Sequence, residues 1–225
     1  RHIAAEDETS ADMAISAAHK LFDENDLSPE QVDFVLLCTQ SPDYFLPTSA
    51  CIIQHKLGIP TSAGALDFNL GCSGFVYGLG IAKGLILGGI AKNVLLLTSE
   101  TYSKFIHPLD KSNRTIFGDA AAATLISDNG FAEIMDFSLG TDGSGAERLI
   151  VHSGGLRKPL PLNDLKFDEQ ENPVSSDHLF MDGTEIFNFS LESVPLLVED
   201  TLKKNGLSQG NIDLFVLHQA NKYML

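Results

Sequence analysis

The chain has 225 residues, room for one large domain or two small ones around a genuine hydrophobic core. Fifteen Lys and Arg against thirty Asp and Glu leave a formal charge of −15, which repels phosphate backbones and anionic lipid and speaks against nucleic-acid and membrane-surface roles. At 44% hydrophobic and 20% charged residues, the composition also excludes a disordered or low-complexity chain.

In chain order, residues 10–24 read as a helix. Thr9 and Asp12 have capping-box spacing, and Met13, Ala14, Ala17, Ala18, Leu21 and Phe22 recur on one face. Asn25-Asp26 ends it, and Leu27 to Gln31 turns into the apolar run Val32–Cys38, which predicts a strand buried on both faces. A short helix follows over Thr48–Leu57, stopped by Gly58-Ile59-Pro60. Ala65–Asn69 is a short strand, after which Gly71-Cys72-Ser73-Gly74 turns into a long apolar helix ending near Gly88-Gly89. Asn93–Thr98 is another apolar strand; the alanine-rich stretch after Phe117-Gly118-Asp119 leads to a strand ending at Ser127, with Phe131–Leu139 as its expected neighbour. Buried strands alternating with helices indicate α/β layers. His152–His178 is rich in Gly, Pro, Asn and Asp and reads as a surface excursion. A helix then runs from Thr184 to about Lys204 despite Pro195, closed by Asn205-Gly206.

Leu27–Leu37 and Leu207–Leu217 match in character at an offset of 180 positions, each after a helix ending in Asn. So long an offset indicates a duplicated domain. The chain stops eight residues past the second copy and begins with Arg1, from which roughly 80–100 further C-terminal residues are expected in a polypeptide of somewhat over 300.

Three cysteines, Cys38, Cys51 and Cys72, cannot all pair within one chain and show no C-x-x-C spacing, which fits a reducing cytoplasm and offers no metal site. The most apolar window, Gly84–Leu97, is broken by Lys92 and Asn93 and falls short of the ~20 residues that span a bilayer. No basic-then-apolar pattern opens the chain. Cys72 lies at a strand-to-helix turn, where the helix dipole and free N–H groups lower a thiol's pKa and can receive an oxyanion. The alternative is a small buried apolar residue, the reading given to Cys38 and Cys51. Leu70 stands where a serine-hydrolase elbow needs glycine. His218 ends the second copy's strand at a carboxyl edge, where α/β sites collect, or else is a structural histidine; in the repeat it corresponds to Cys38.

Asn69-Leu70-Gly71-Cys72-Ser73-Gly74-Phe75, Phe117-Gly118-Asp119-Ala120-Ala121, Met181-Asp182-Gly183-Thr184-Glu185-Ile186-Phe187 and His218-Gln219-Ala220-Asn221 follow the order and spacing of β-ketoacyl-[acyl-carrier-protein] synthase III, which the chain resembles over essentially its whole length. The resemblance implies a thiolase-like fold of two duplicated α/β halves, the second truncated: residues 1–150 as the half with the nucleophile, 151–180 as the excursion and 181–225 as the start of the half with the histidine. It implies acyl transfer from acyl-CoA to Cys72, then decarboxylative condensation with malonyl-[acyl-carrier protein], with His218 and an asparagine beyond Leu225 donating to the enolate oxygen. No cofactor or metal is implied.

By the same resemblance Phe187 packs near the malonyl carboxylate. Thr184 stands at a pantetheine contact usually held by Asn, Arg114 matches the arginine near the CoA adenine, and Ala220 and Asn221 complete the substrate-binding set. Gln219, Lys222 and Tyr223 fall where the carrier protein docks, and Leu46 would reach across a homodimer to cap the partner's acyl pocket. Lys222-Tyr223 departs from the family's common Arg there, and the segment from Asp110 to Phe117 reads as shorter than usual. A related acyltransferase of secondary metabolism and a noncatalytic partner subunit are the alternatives.

Overall fold

The computed structural model describes residues 2–220; Asn221, Lys222 and Tyr223 lie outside the described residues. Two compact units emerge, one of His2–Tyr102 with Gly118–Ile134, the other of Ser103–Phe117 with the chain from Met135 on.

The first unit opens with α1 (Ser10–Asn25). Thr9 Oγ1 accepts the Asp12 N–H at 3.2 Å and Asp12 Oδ2 accepts the Thr9 N–H at 3.1 Å, the reciprocal cap that the spacing predicts. The strands are β1 (Phe34–Cys38), β2 (Gly64–Phe68), β3 (Asn93–Glu100) and β4 (Ala120–Ser127), in the order β2-β1-β3-β4, with β4 alone antiparallel. Between them run α2 (Ser49–Lys56) and α3 (Gly74–Leu87).

Alternation along β1 and β3 divides the core. Val35, Leu37, Leu95 and Leu97 share one buried cluster with Ala14, Ala18 and Phe22 of α1 and Ile53 of α2, while Leu36, Val94 and Leu96 share another with Ala82 of α3 and Ile126 of β4. Both faces of the central strands are therefore covered, which is why they are apolar without interruption. Asp67 of β2 ties down the start of α2, its carboxylate accepting the Ser49 and Ala50 N–H groups at 2.6 and 2.7 Å.

In the second unit α4 (Asn113–Ile116) is a single turn gathered around Asp110, whose carboxylate accepts from Ser112 and Asn113. The excursion is flanked by the pair β5 (Leu149–Ile150) and β8 (Phe180–Met181), and contains the small hairpin β6 (Lys166–Phe167) and β7 (Pro173–Val174). Aspartates order this aperiodic stretch. Asp177 accepts from Leu162 N, Asn163 N and Ser153 Oγ, and Asp164 from Ser176 N and Oγ. α5 (Gly183–Lys204) starts on Asp182, which accepts the Glu185 N–H, and runs through Pro195.

The repeat extends to single hydrogen bonds. Leu27 N–H donates to Phe22 O at 3.0 Å and Leu207 N–H to Leu202 O at 2.9 Å, around left-handed residues Asp26 (φ 51) and Gly206 (φ 65). Ser28 N–H then donates to Gln31 Oε1 and Ser208 N–H to Asn211 Oδ1, both at 2.9 Å, closing a 3-10 turn in each copy. Beyond that turn the copies diverge.

Two expected strands are absent. Residues 212–217 have no strand partner among the described residues, so unlike β1 between β2 and β3 they form no ladder, and Leu214 and Val216 are 75% and 78% exposed. Residues 131–139 do not pair with β4 either. Their backbone is held by a side-chain amide instead, Asp136 N–H donating to Asn205 Oδ1 and Asn205 Nδ2 to Asp136 O. No helix among the described residues is long and apolar enough to cross a membrane, and none of their side chains form a group of three metal ligands.

Candidate active site

β2 ends at Phe68, and residues 69–73 turn the chain into α3 at the carboxyl edge of the parallel strands, closed by Gly74 N–H donating to Gly71 O at 2.8 Å. Cys72 sits in this turn, two residues ahead of α3. Cys38, Leu70, Gly71, Cys72, Phe75 and Glu100, together with Thr98 and Ser99, line an open cleft of about 190 Å³ there.

Glycine makes the close packing under the turn possible. A Cβ on Gly74 would lie 2.2 Å from Cys38 Sγ, and one on Gly78 would lie 2.6 Å from Leu96 Cδ1. Only bare backbone lets α3 settle this near β1 and β3. Gly74→Ala is therefore expected to lower stability by roughly 1–3 kcal/mol through overpacking. Adding Cys38→Ala should recover most of that loss, because the two Cβ atoms would be 3.6 Å apart, an ordinary contact. Urea midpoints of the two single variants and the double variant check the coupling.

Cys72 is solvent-exposed on one side, yet desolvation by the protein behind it pushes its thiol up; a bond to its own backbone opposes this, and the Glu100 carboxylate adds to the rise. The direction is opposite to the lowering expected from the helix start: Cys72 precedes the helix's first residue, and burial with a negative neighbour raises its thiol. Burial and Glu100 also push Cys38 up to about 11 while its Sγ donates to Leu70 O at 3.0 Å, and Cys51 Sγ donates to Thr48 O at 2.9 Å. Both sulfurs are occupied structurally.

Glu100 is the residue that sequence reasoning missed. Its signal is a lone acid closing the run from Val94, two positions past the expected strand end at Thr98. The carboxylate accepts the Gln40 N–H at 2.7 Å and the Ser41 hydroxyl at 2.9 Å. Burial pushes it up to about 7 against those two bonds, helped by repulsion from Asp119.

The other candidates are placed as follows. Leu46 projects from an exposed loop, 86% accessible, beside Phe45 at 80%. In the second unit Thr184 and Phe187 lie in the first turns of α5, both exposed, and Arg114 of α4 donates from its guanidinium to Pro108 O. His218 and Gln219 are exposed and Ala220 half-buried, in residues that form neither helix nor strand. Cys72 and Leu46 belong to one unit; Arg114, Thr184, Phe187, His218, Gln219 and Ala220 belong to the other.

A family model described as 3-oxoacyl-[acyl-carrier-protein (ACP)] synthase III matches residues 66–143, which include the Cys72 turn and Glu100. A crystal structure of a 3-oxoacyl-(acyl-carrier-protein) synthase III is 55% identical with a TM-score of 0.96, all of this chain aligning with 68% of that one. A 3-oxoacyl-(acyl-carrier protein) synthase from Burkholderia xenovorans LB400 is 40% identical with a TM-score of 0.87, covering 100% and 63% of the two chains. In sequence, a putative 3-oxoacyl-[acyl-carrier-protein] synthase 3 of Campylobacter jejuni is 34% identical across 100% of this chain and 64% of its own length. The chain spans 64 to 65% of the length of the first curated relatives it matches. A thiolase-like α/β architecture with its cysteine turn at the strand ends, shared at 55% identity over more than two thirds of a solved relative, settles the kinship: the chain belongs to the β-ketoacyl-[acyl-carrier-protein] synthase III family.

Proposed function

We propose that the protein carries out the decarboxylative Claisen condensation of an acyl-CoA primer with malonyl-[acyl-carrier protein], initiating fatty acid synthesis in the cytoplasm. The observation that carries this reading is Cys72, offered to an open cleft by the β2–α3 turn in a chain of this family.

In the first half-reaction the Cys72 sulfur attacks the acyl-CoA carbonyl, the C–S bond to CoA breaks, and the proton lost by Cys72 ends on the departing CoA thiolate. N–H groups at the start of α3, two residues on from Cys72, receive the oxyanion in this scheme. In the second, malonyl-[acyl-carrier protein] loses CO2 and the electron pair of the broken C–C bond moves into the thioester as an enolate, which His218 stabilises by donating to its oxygen. The enolate carbon attacks acyl-Cys72, the Cys72 thiolate leaves, and one proton from solvent restores the thiol. Phe187 disfavours water at the carboxylate that is lost. Thr184, Arg114, Ala220 and Asn221 contact the CoA and pantetheine arms, while Gln219, Lys222 and Tyr223 meet the carrier protein. No metal or cofactor enters this scheme.

Supplying acyl-CoA and malonyl-[acyl-carrier protein] together tests the reading. Release of CO2 with appearance of β-ketoacyl-[acyl-carrier protein] supports it; condensation with malonyl-CoA alone would move the protein to the secondary-metabolic class. Leu46 extends the proposal to a homodimer, in which its exposed side chain enters the partner's acyl pocket. Leucine leaves more room there than an aromatic ring, so Leu46→Phe is expected to narrow the primers accepted toward acetyl, read as the ratio of kcat/KM for branched or longer acyl-CoAs to that for acetyl-CoA.

A further inference from the structure

Glu100 has no ion-pair partner among the described residues, although it is half-buried beside the sulfur proposed as nucleophile. An uncompensated carboxylate is costly there, and a neutral glutamine would keep hydrogen bonds at the same place. The surrounding bonds show what the carboxylate organises. Gln40, held by its backbone N–H on Glu100, accepts the Tyr102 hydroxyl on Oε1 at 2.8 Å and donates from Nε2 to Asn69 Oδ1 at 3.2 Å, which brings the network to the turn that carries Cys72. A Cβ on Gly71, the residue before Cys72, would lie 2.7 Å from Gln40 Oε1. Ser41, donating to Glu100, accepts the Thr101 N–H on the same oxygen at 2.9 Å and so joins the ends of β1 and β3.

We propose that Glu100 is a positioning residue for Cys72: it braces the Asn69–Ser73 turn through Gln40 and, by its charge, adds to the cost of the Cys72 thiolate. This rests on Cys72 being the nucleophile, as proposed above. The titratable groups around Glu100 are Cys38 at the end of β1, Cys72 in the turn after β2, Tyr102 after β3 and Asp119 before β4. None of them is a cation. Ionised, Glu100 adds repulsion to the burial that already disfavours the Cys72 thiolate; when Glu100 takes up a proton, that added repulsion is lifted. Burial pushes Glu100 up to about 7, so its charge changes near neutrality, whereas the Cys72 thiol is pushed above its ordinary range; Cys72 reactivity therefore carries both transitions.

The test compares the parent protein with Glu100→Gln, following modification of the Cys72 peptide by methyl methanethiosulfonate from pH 5.5 to 8.5 by mass spectrometry. The variant is expected to react several-fold faster above pH 7.5, with the rate ratio falling to near one below pH 6, where the parent's Glu100 is neutral as well. A ratio at or below one, or one constant across the range, overturns the proposal, since a residue that merely held the fold would give no pH-dependent ratio. If Glu100→Gln fails to fold, Ser41→Ala serves instead. It removes a bond that favours ionised Glu100, so the pH at which Cys72 reactivity departs from simple thiol titration should move up, and an unmoved midpoint counts against the idea. The readout involves no acyl-CoA, so a pH-dependent ratio without any acyl adduct on Cys72 would retire the proposed function and leave the coupling standing. An adduct with a flat ratio would do the reverse.

Discussion

Cys72→Ala is expected to remove the acyl adduct altogether and to lower condensation by at least about 10⁴-fold, because the covalent intermediate that divides the reaction into two steps can no longer form. The parent, incubated with a short acyl-CoA, should gain one acyl mass on the Cys72 peptide. The other thiols are poor substitutes. Cys38 is buried beneath Gly74, donates to Leu70 O and is pushed up to about 11, while Cys51 lies in α2 and donates to Thr48 O. An adduct on Cys38 or Cys51 with Cys72 unmodified would falsify the assignment. The raised thiol pKa of Cys72 adds a condition: acylation should quicken as pH rises through the alkaline range, since only the thiolate attacks.

Features decided within a few residues of chain were legible in the sequence. The Thr9–Asp12 cap, the stop at Gly88-Gly89 and the two Leu-Ser turns 180 positions apart follow from local hydrogen-bonding chemistry, and each is found as read. Features that depend on a partner distant in sequence were harder. The run Ile212–Leu217 carries the same apolar signal as β1, but apolar character does not provide the neighbouring strand that makes a ladder. Residues 131–139 are apolar enough to be expected as the neighbour of β4, yet Asn205, nearly 70 positions on, takes up their backbone at Asp136. The ionisation of Cys72 differs from the sequence expectation for the same reason. A helix terminus is visible in sequence, whereas the burial that pushes the thiol up, and the Glu100 carboxylate, 28 residues later and brought to the same cleft by β3, that adds to it, are visible only in three dimensions.

For His218→Ala the expected result is a split between the half-reactions. Acyl transfer to Cys72 should persist, since attack on the acyl-CoA carbonyl draws on the β2–α3 turn, all of which lies in the first unit. Decarboxylative condensation should fall by roughly 10² to 10³, the usual loss when one donor to a developing oxyanion is removed. The enolate formed as CO2 leaves gathers charge on its thioester oxygen, so a missing donor is felt at that step. The repeat gives a further reason to look here. His218 is the counterpart of Cys38 at the 180-position offset, and the backbone N–H bonds of the preceding turns correspond, so one backbone motif ends in a side chain packed under α3 in the first copy and in an exposed imidazole in the second. An ordinary core position would keep an apolar or small residue in both copies; a histidine in only one fits a duplication whose second half was recruited for proton or hydrogen-bond chemistry. Separate assays, acyl mass on Cys72 for the first step and CO2 release from malonyl-[acyl-carrier protein] for the second, resolve the two effects. Equal loss in both would mean that His218 serves the nucleophile rather than the enolate.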